Sequence, residues 1–158
     1  MMERSRPIAP LWGYAAIILA TITVAGGGAM VSGGESDPWY VALNKPDLTP
    51  PGYVFGLVWP TLYILMAAGA SLVWRAGGRG ALPIYIAQLA LNFGWSATFF
   101  GSHLIWPAMG VLAALWVAII VMIGAFRKFS SLAAILQAPY LVWVSFAGYL
   151  NGYIALAN

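Results

Sequence analysis

Chemistry in this chain must come from aromatic rings and amides, because its long apolar stretches contain little else. Eight Trp, eight Tyr and seven Phe make up 15% of the 158 residues. The single histidine, His103, sits beside Ser102 in a short connection, where an interfacial polar role is a simpler reading than a metal ligand or base. The four acids, Glu3, Glu35, Asp37 and Asp47, lie in the N-terminal tail or in one loop, so no carboxylate pair is set inside an apolar stretch. Proton relays and ion pathways need ionisable groups within the spans, which argues against a pump or an ion-coupled transporter. Cysteine is absent, which excludes disulfides, thiolate catalysis and Cys-based metal sites. Phosphate-binding loops and metal-ligand spacings are missing too, so neither a metal nor a cofactor is expected.

The polar and aromatic residues that remain fall into rows at helical spacing. Trp59 and Tyr63 are one turn apart. Gln88, Asn92, Trp95 and Phe99 follow at i, i+4, i+7 and i+11, and so share one face. Pro139, Trp143 and Ala147 form a third row, with Leu150 and Asn151 one turn on. A buried indole N–H or amide needs a partner. These rows therefore either bond across a bundle or wall a cavity, and a cavity of aromatics with few polar groups suits a large, flat, apolar molecule. Trp12, Trp74 and Trp106 differ, because they sit at stretch ends where rings anchor to headgroups.

Five stretches must position these rows: 11–31, 54–74, 81–100, 105–126 and 132–155. Each is near the roughly 20 apolar residues that span a bilayer, and none holds an Asp, Glu, Lys or Arg. With 62% hydrophobic and 7% charged residues, the chain reads as an all-α integral membrane protein, a bundle of five transmembrane helices forming one domain over 1–158. Six of the seven basic residues (Arg4, Arg6, Arg75, Arg79, Arg127 and Lys128) fall on one side of such a bundle, and Lys45 alone on the other. The positive-inside rule then puts the N-terminus in the cytoplasm of a bacterial cell membrane. These cations are scattered rather than gathered into a patch, so nucleic acid is not an expected partner. Arg4 and Arg6 ahead of an apolar run loosely resemble a signal peptide, but the run is longer than an h-region.

The one long connection, 32–53, carries Pro38, Pro46, Pro50 and Pro51, whose fixed φ angles stiffen it. A stiff loop of this length reads as a lid, with Trp39, Lys45, Pro46, Pro50 and Pro51 as its working residues. Gly26, Gly27 and Gly28 read as close helix packing. Ala90, Gly94 and Thr98 place small residues four apart, which suits either a homodimer seam or packing within one bundle.

Three of these segments together carry a resemblance. The first is Trp39-Tyr40-x-x-Leu43-x-Lys45-Pro46, then Pro50-Pro51 and Val54-Phe55-Gly56-x-x-Trp59-x-x-Leu62-Tyr63. The second is Gln88-Leu89-Ala90-Leu91-Asn92-x-x-Trp95-x-x-x-Phe99-Phe100-Gly101. The third is Pro139-Tyr140-Leu141-x-Trp143-x-x-Phe146-Ala147-x-x-Leu150-Asn151. In this order, over almost the whole chain, they resemble the translocator protein family, also called tryptophan-rich sensory proteins or peripheral-type benzodiazepine receptors (TspO/MBR).

The resemblance implies a five-helix bundle, commonly dimeric, that binds porphyrins, sterols and isoquinoline or benzodiazepine-type ligands beneath the first loop. Carried over by motif, it implies a pocket of Tyr40, Trp59, Tyr63, Asn92, Phe99, Trp143, Ala147 and Leu150, to which the helical row adds Trp95. The family's sterol motif ends in a base, and here Tyr149 and Tyr153 are followed by none. Tetrapyrroles therefore fit better than sterols. Three readings stand: a porphyrin receptor or translocator; a light- and oxygen-dependent porphyrin-degrading enzyme using Trp59 and Trp143; and a structural dimer.

Overall fold

The computed structural model describes residues 9–33 and 37–158; Arg4, Arg6 and Glu35 lie outside them. Every regular element among the described residues is helical. They are α1 (Leu11–Val31), α2 (Pro38–Ala42), α3 (Gly52–Arg75), α4 (Leu82–Ser96), α5 (Ile105–Arg127), α6 (Ser131–Ile135) and α7 (Ala138–Ala157). A 3-10 turn at Arg79–Ala81 leads into α4, and a π-turn at Ala97–Gly101 leads out of it.

Four helices are long and apolar enough to cross a membrane: α1, α3, α5 and the Ser131–Ala157 run. The stretch expected as a third uniform span falls short, because its α-helical part has only 15 residues. Its outer end widens for a local reason. The Thr98 hydroxyl donates to the Gly94 carbonyl at 2.7 Å, and Leu104 N–H reaches back six residues to the Thr98 carbonyl at 3.0 Å. The last stretch is also divided. Pro139 has no N–H for the carbonyl of Ile135, and α6 ends at that residue. The α6 start is capped by Ser130, whose hydroxyl accepts from Ala133 N–H at 3.1 Å.

The helices close a ring: α1 packs on α3 and α4, α4 on α5, α5 on α6 and α7, and these two on α3. At the end where α3 and α5 finish in Arg75 and Arg127, the ring is solid. Gly13 gives Trp74 its seat on α1, since any Cβ there would enter the indole. Trp74 Nε1 then donates to Pro10 carbonyl at 3.0 Å, and its ring packs against Trp12. Gly69 likewise admits the buried Gln137 side chain, which donates to Ala133 carbonyl at 3.2 Å. Met66, Ala70, Val73, Tyr85, Ile119, Met122 and Phe126 fill the centre with no exposed surface.

Candidate functional site

At the opposite end the ring is hollow. A cavity of about 480 Å³ lies between α1, α3, the outer part of α4 and the first loop, within the range of small-molecule sites. Trp59, Tyr63, Phe55 and Pro60 of α3 form one wall, with Gly52 and Gly56. Trp95, Ser96 and Phe100 form the second, Ala25, Gly28, Ala29 and Ser32 of α1 the third, and Tyr40 reaches in from the loop.

Polar bonds behind the walls hold the rings. Tyr63 hydroxyl meets Asn92 Oδ1 at 2.7 Å, and Asn92 Nδ2 donates to Tyr140 hydroxyl at 3.0 Å. Trp95 Nε1 donates to Asn151 Oδ1 at 3.2 Å, and Asn151 Nδ2 to Ile105 carbonyl at 3.2 Å. Deeper, Thr21 and Tyr85 hydroxyls pair at 2.6 Å. Trp143 Nε1 and both amide atoms of Gln88 are buried and meet no hydrogen-bond partner among the described residues.

The expected pocket residues thus separate into layers. Tyr40, Trp59, Tyr63 and Trp95 face the cavity. Asn92 stands behind Tyr63 as its hydrogen-bond partner. Trp143 stands behind Trp59, ring centroids 6.5 Å apart at 90°, and packs on Phe55. Ala147 and Leu150 are buried, and neither is among the cavity-lining residues. Phe99 is buried beneath Trp39 and Tyr40, while Phe100 lines the cavity. The π-turn explains this exchange: widening the turn by one residue advances the register, so Phe100 takes the direction a continuous α-helix gives to Phe99.

The α1 wall lies outside the three aromatic and amide rows. Its signal is the small triplet Ala25, Gly28 and Ala29 at i, i+3 and i+4, hidden because α1 is apolar all round.

The loop over the cavity is built and tied. Asp37 caps α2, accepting from Trp39 N–H at 2.8 Å, with Pro38 at the first turn. Lys45 Nζ closes its other end, donating to the carbonyls of Tyr40 at 2.6 Å and Leu43 at 3.0 Å. Trp39 stacks on His103 at 4.2 Å, and His103 Nε2 lies 3.7 Å from Asp37 Oδ2. Pro46 is buried. Further along, Asn44 N–H donates to Asn158 Oδ1 at 2.9 Å and Asn158 Nδ2 to Asn44 carbonyl at 3.1 Å. Pro50 and Pro51 deliver the chain into α3, with Pro51 at its N-cap.

A TspO/MBR family model covers residues 15–156. The chain belongs to the TspO/MBR family. It is 40% identical to a tryptophan-rich sensory protein of Cereibacter sphaeroides over 74% of this chain and 75% of that one. It is 35% identical to the translocator protein of Bos taurus over 91% of this chain and 89% of that one. Protein CrtK of Rhodobacter capsulatus is 33% identical over 87% and 88%. Family membership and the four apolar helices make this TspO/MBR chain an integral membrane protein.

In this family member the Ala90, Gly94 and Thr98 row runs beside α5. Ala90 is exposed, Gly94 and Thr98 are half-buried, and a Cβ on Gly94 would meet Val111 of α5 at 3.6 Å.

Proposed function

We propose that the chain is a tetrapyrrole-binding membrane receptor or translocator that holds its ligand in the cavity beneath the first loop. The observation that carries this reading is the cavity itself. Its walls are planar rings and small residues, and its polar side-chain groups are few: the hydroxyls of Ser32, Tyr40, Tyr63 and Ser96 and the indole N–H groups of Trp59 and Trp95. That is the chemistry of a flat apolar molecule with a polar rim. The ligand-contacting set in this reading is Tyr40, Trp59, Tyr63 and Trp95, backed by Asn92, Phe99, Trp143, Ala147 and Leu150, with Trp39, Lys45, Pro46, Pro50 and Pro51 shaping the lid. Its relatives' names, sensory protein and translocator, fit a regulatory or transport role.

The same proposal counts Arg79–Gly101, helical without a gap, as a fifth, composite span. It places the N-terminus in the cytoplasm of a bacterial membrane, because Arg75, Arg79, Arg127 and Lys128 share the end opposite Lys45 and Asp47. It pairs two copies along the lipid-facing edge of the Ala90, Gly94 and Thr98 row, where Ala90 and Phe93 are exposed.

Titrating the protein with protoporphyrin in darkness, and following tryptophan fluorescence, tests the ligand reading. Saturable quenching that Gly28→Phe removes supports it, and quenching that survives a filled cavity overturns it. A second reading, light- and oxygen-dependent porphyrin breakdown, is favoured by the perpendicular pair of oxidisable indoles, Trp59 at the wall and Trp143 behind it. In that reading Trp143→Phe keeps binding in darkness but stops porphyrin loss under illumination.

A further inference from the structure

Three residues that line the cavity are themselves exposed: Ala29 on α1, and Gly56 and Pro60 on α3. Both helices are apolar enough to cross a membrane. Pro60 lies about 12 Å along the axis from the first residue of α3 at 1.5 Å per residue. At that depth an exposed surface meets lipid rather than water.

Sequence makes and keeps this gap. A Cβ built on Gly56 meets nothing within 4 Å, and the facing wall is Ala25 and Ala29. Pro60 has no N–H to give to the Gly56 carbonyl one turn earlier. A carbonyl freed from its helix at membrane depth is tolerated where it lines a cavity. At their other ends the same two helices are locked, with Trp74 seated on Gly13 and bonded to Pro10. The pair is closed at one end and parted at the other. The route past the loop is tied by the stacking of Trp39 on His103 and by the Asn44–Asn158 bonds.

We propose that the gap between α1 and α3 is a lipid-facing portal. The flat apolar ligand of the previous section, on which this inference rests, partitions into the bilayer and slides edge-on between Ala29 and Gly56. It does not pass through water beneath the loop.

The test uses the full chain in liposomes, with protoporphyrin as the probe and stopped-flow tryptophan quenching as the readout. Gly56→Leu points a side chain into open space and so leaves the fold intact; Ala29→Leu narrows the gap from the facing wall. Each should slow association by about tenfold, equivalent to about 1.4 kcal/mol of added barrier. The chain has no cysteine, so cysteines placed at Asn44 and Asn158 can be joined by a short bismaleimide to hold the loop shut. Wild-type rates in that clamped protein support the portal. Blocked entry in the clamped protein, or weakened affinity at an unchanged association rate in both leucine variants, overturns it. Equilibrium quenching by the wild-type protein reports on the ligand reading alone, so its failure is told apart from failure of the route.

Discussion

The two ends of this bundle use glycine in opposite ways. At the end bearing Arg75 and Arg127, Gly13, Gly69 and Gly78 are seats: a Cβ on them would strike Trp74, Gln137 or Phe129. At the loop end, Gly56 faces empty space, and a Cβ on Gly28 would approach nothing closer than Ser96 Oγ at 3.7 Å. One set removes a methyl so that a large side chain can enter. The other leaves room that no side chain among the described residues fills. The closed end supplies rigidity, and the open end spends part of it on a cavity.

The comparison breaks most visibly at Gly13. Gly13→Ala should destabilise the protein by about 3 kcal/mol, the upper end of overpacking costs, because Trp74 must leave its seat and the Pro10 carbonyl. Gly28→Ala, on the cavity wall, should cost under about 1 kcal/mol, since its new methyl meets only ordinary contacts. Thermal unfolding in one detergent measures both. Equal losses would show that the two ends are packed alike.

Asn92 joins the cavity wall to the core behind it. Asn92→Leu leaves the Tyr63 and Tyr140 hydroxyls without their shared partner, which should cost about 2 kcal/mol. It should also weaken protoporphyrin binding, because Tyr63 is no longer held at the wall. A variant with lower stability and wild-type affinity would confine Asn92 to the core.

Ala147 sharpens the same division from behind the cavity. It is only 6% exposed, so Ala147→Phe should act first as overpacking, at about 1–2 kcal/mol, and reach the ligand only by displacing Trp143 toward Trp59. Lost binding without a fall in melting temperature would put Ala147 at the cavity wall.

These residues also show how far the sequence could be read. Uncharged stretches and proline density are one-dimensional signals, and they located α1, α3, α5, the last helical run and the stiff loop. Helical spacing placed Trp59, Tyr63 and Trp95 on facing walls for the same reason. At Phe99 the i+11 rule assumes 3.6 residues per turn, a period that the π-turn breaks, and Phe100 lines the cavity there. Helical spacing was silent on α1, whose uniform apolarity marks no inner face. It set Trp143 and Ala147 on one face of α7, where Trp143 packs on Trp59 and neither residue is among those lining the cavity. Which layer a row belongs to depends on the neighbouring helix, which periodicity does not report.

The smallest effect expected is at Lys45, where stability and loop order should come apart. Its ammonium lies within hydrogen-bonding distance of the carbonyls of Tyr40, Val41 and Leu43, and 4.8 Å from the centre of the Tyr40 ring. A five-residue helix cannot satisfy its own last carbonyls, so one cation holds the C-terminus of α2 and steadies the Tyr40 backbone. Lys45→Met keeps the apolar stem and removes the charge. Global stability should change by less than about 1 kcal/mol, the usual worth of a cation at a helix C-terminus. The amides of residues 39–43 should nevertheless exchange with deuterium faster, and protoporphyrin should dissociate faster, because Tyr40 reaches the cavity only while α2 is formed. Lys45→Arg restores a donor at the same place and should recover most of both effects. Unchanged exchange in Lys45→Met would mean that Asp37 alone holds α2 together, and that the closed character of the loop comes from its N-terminal end.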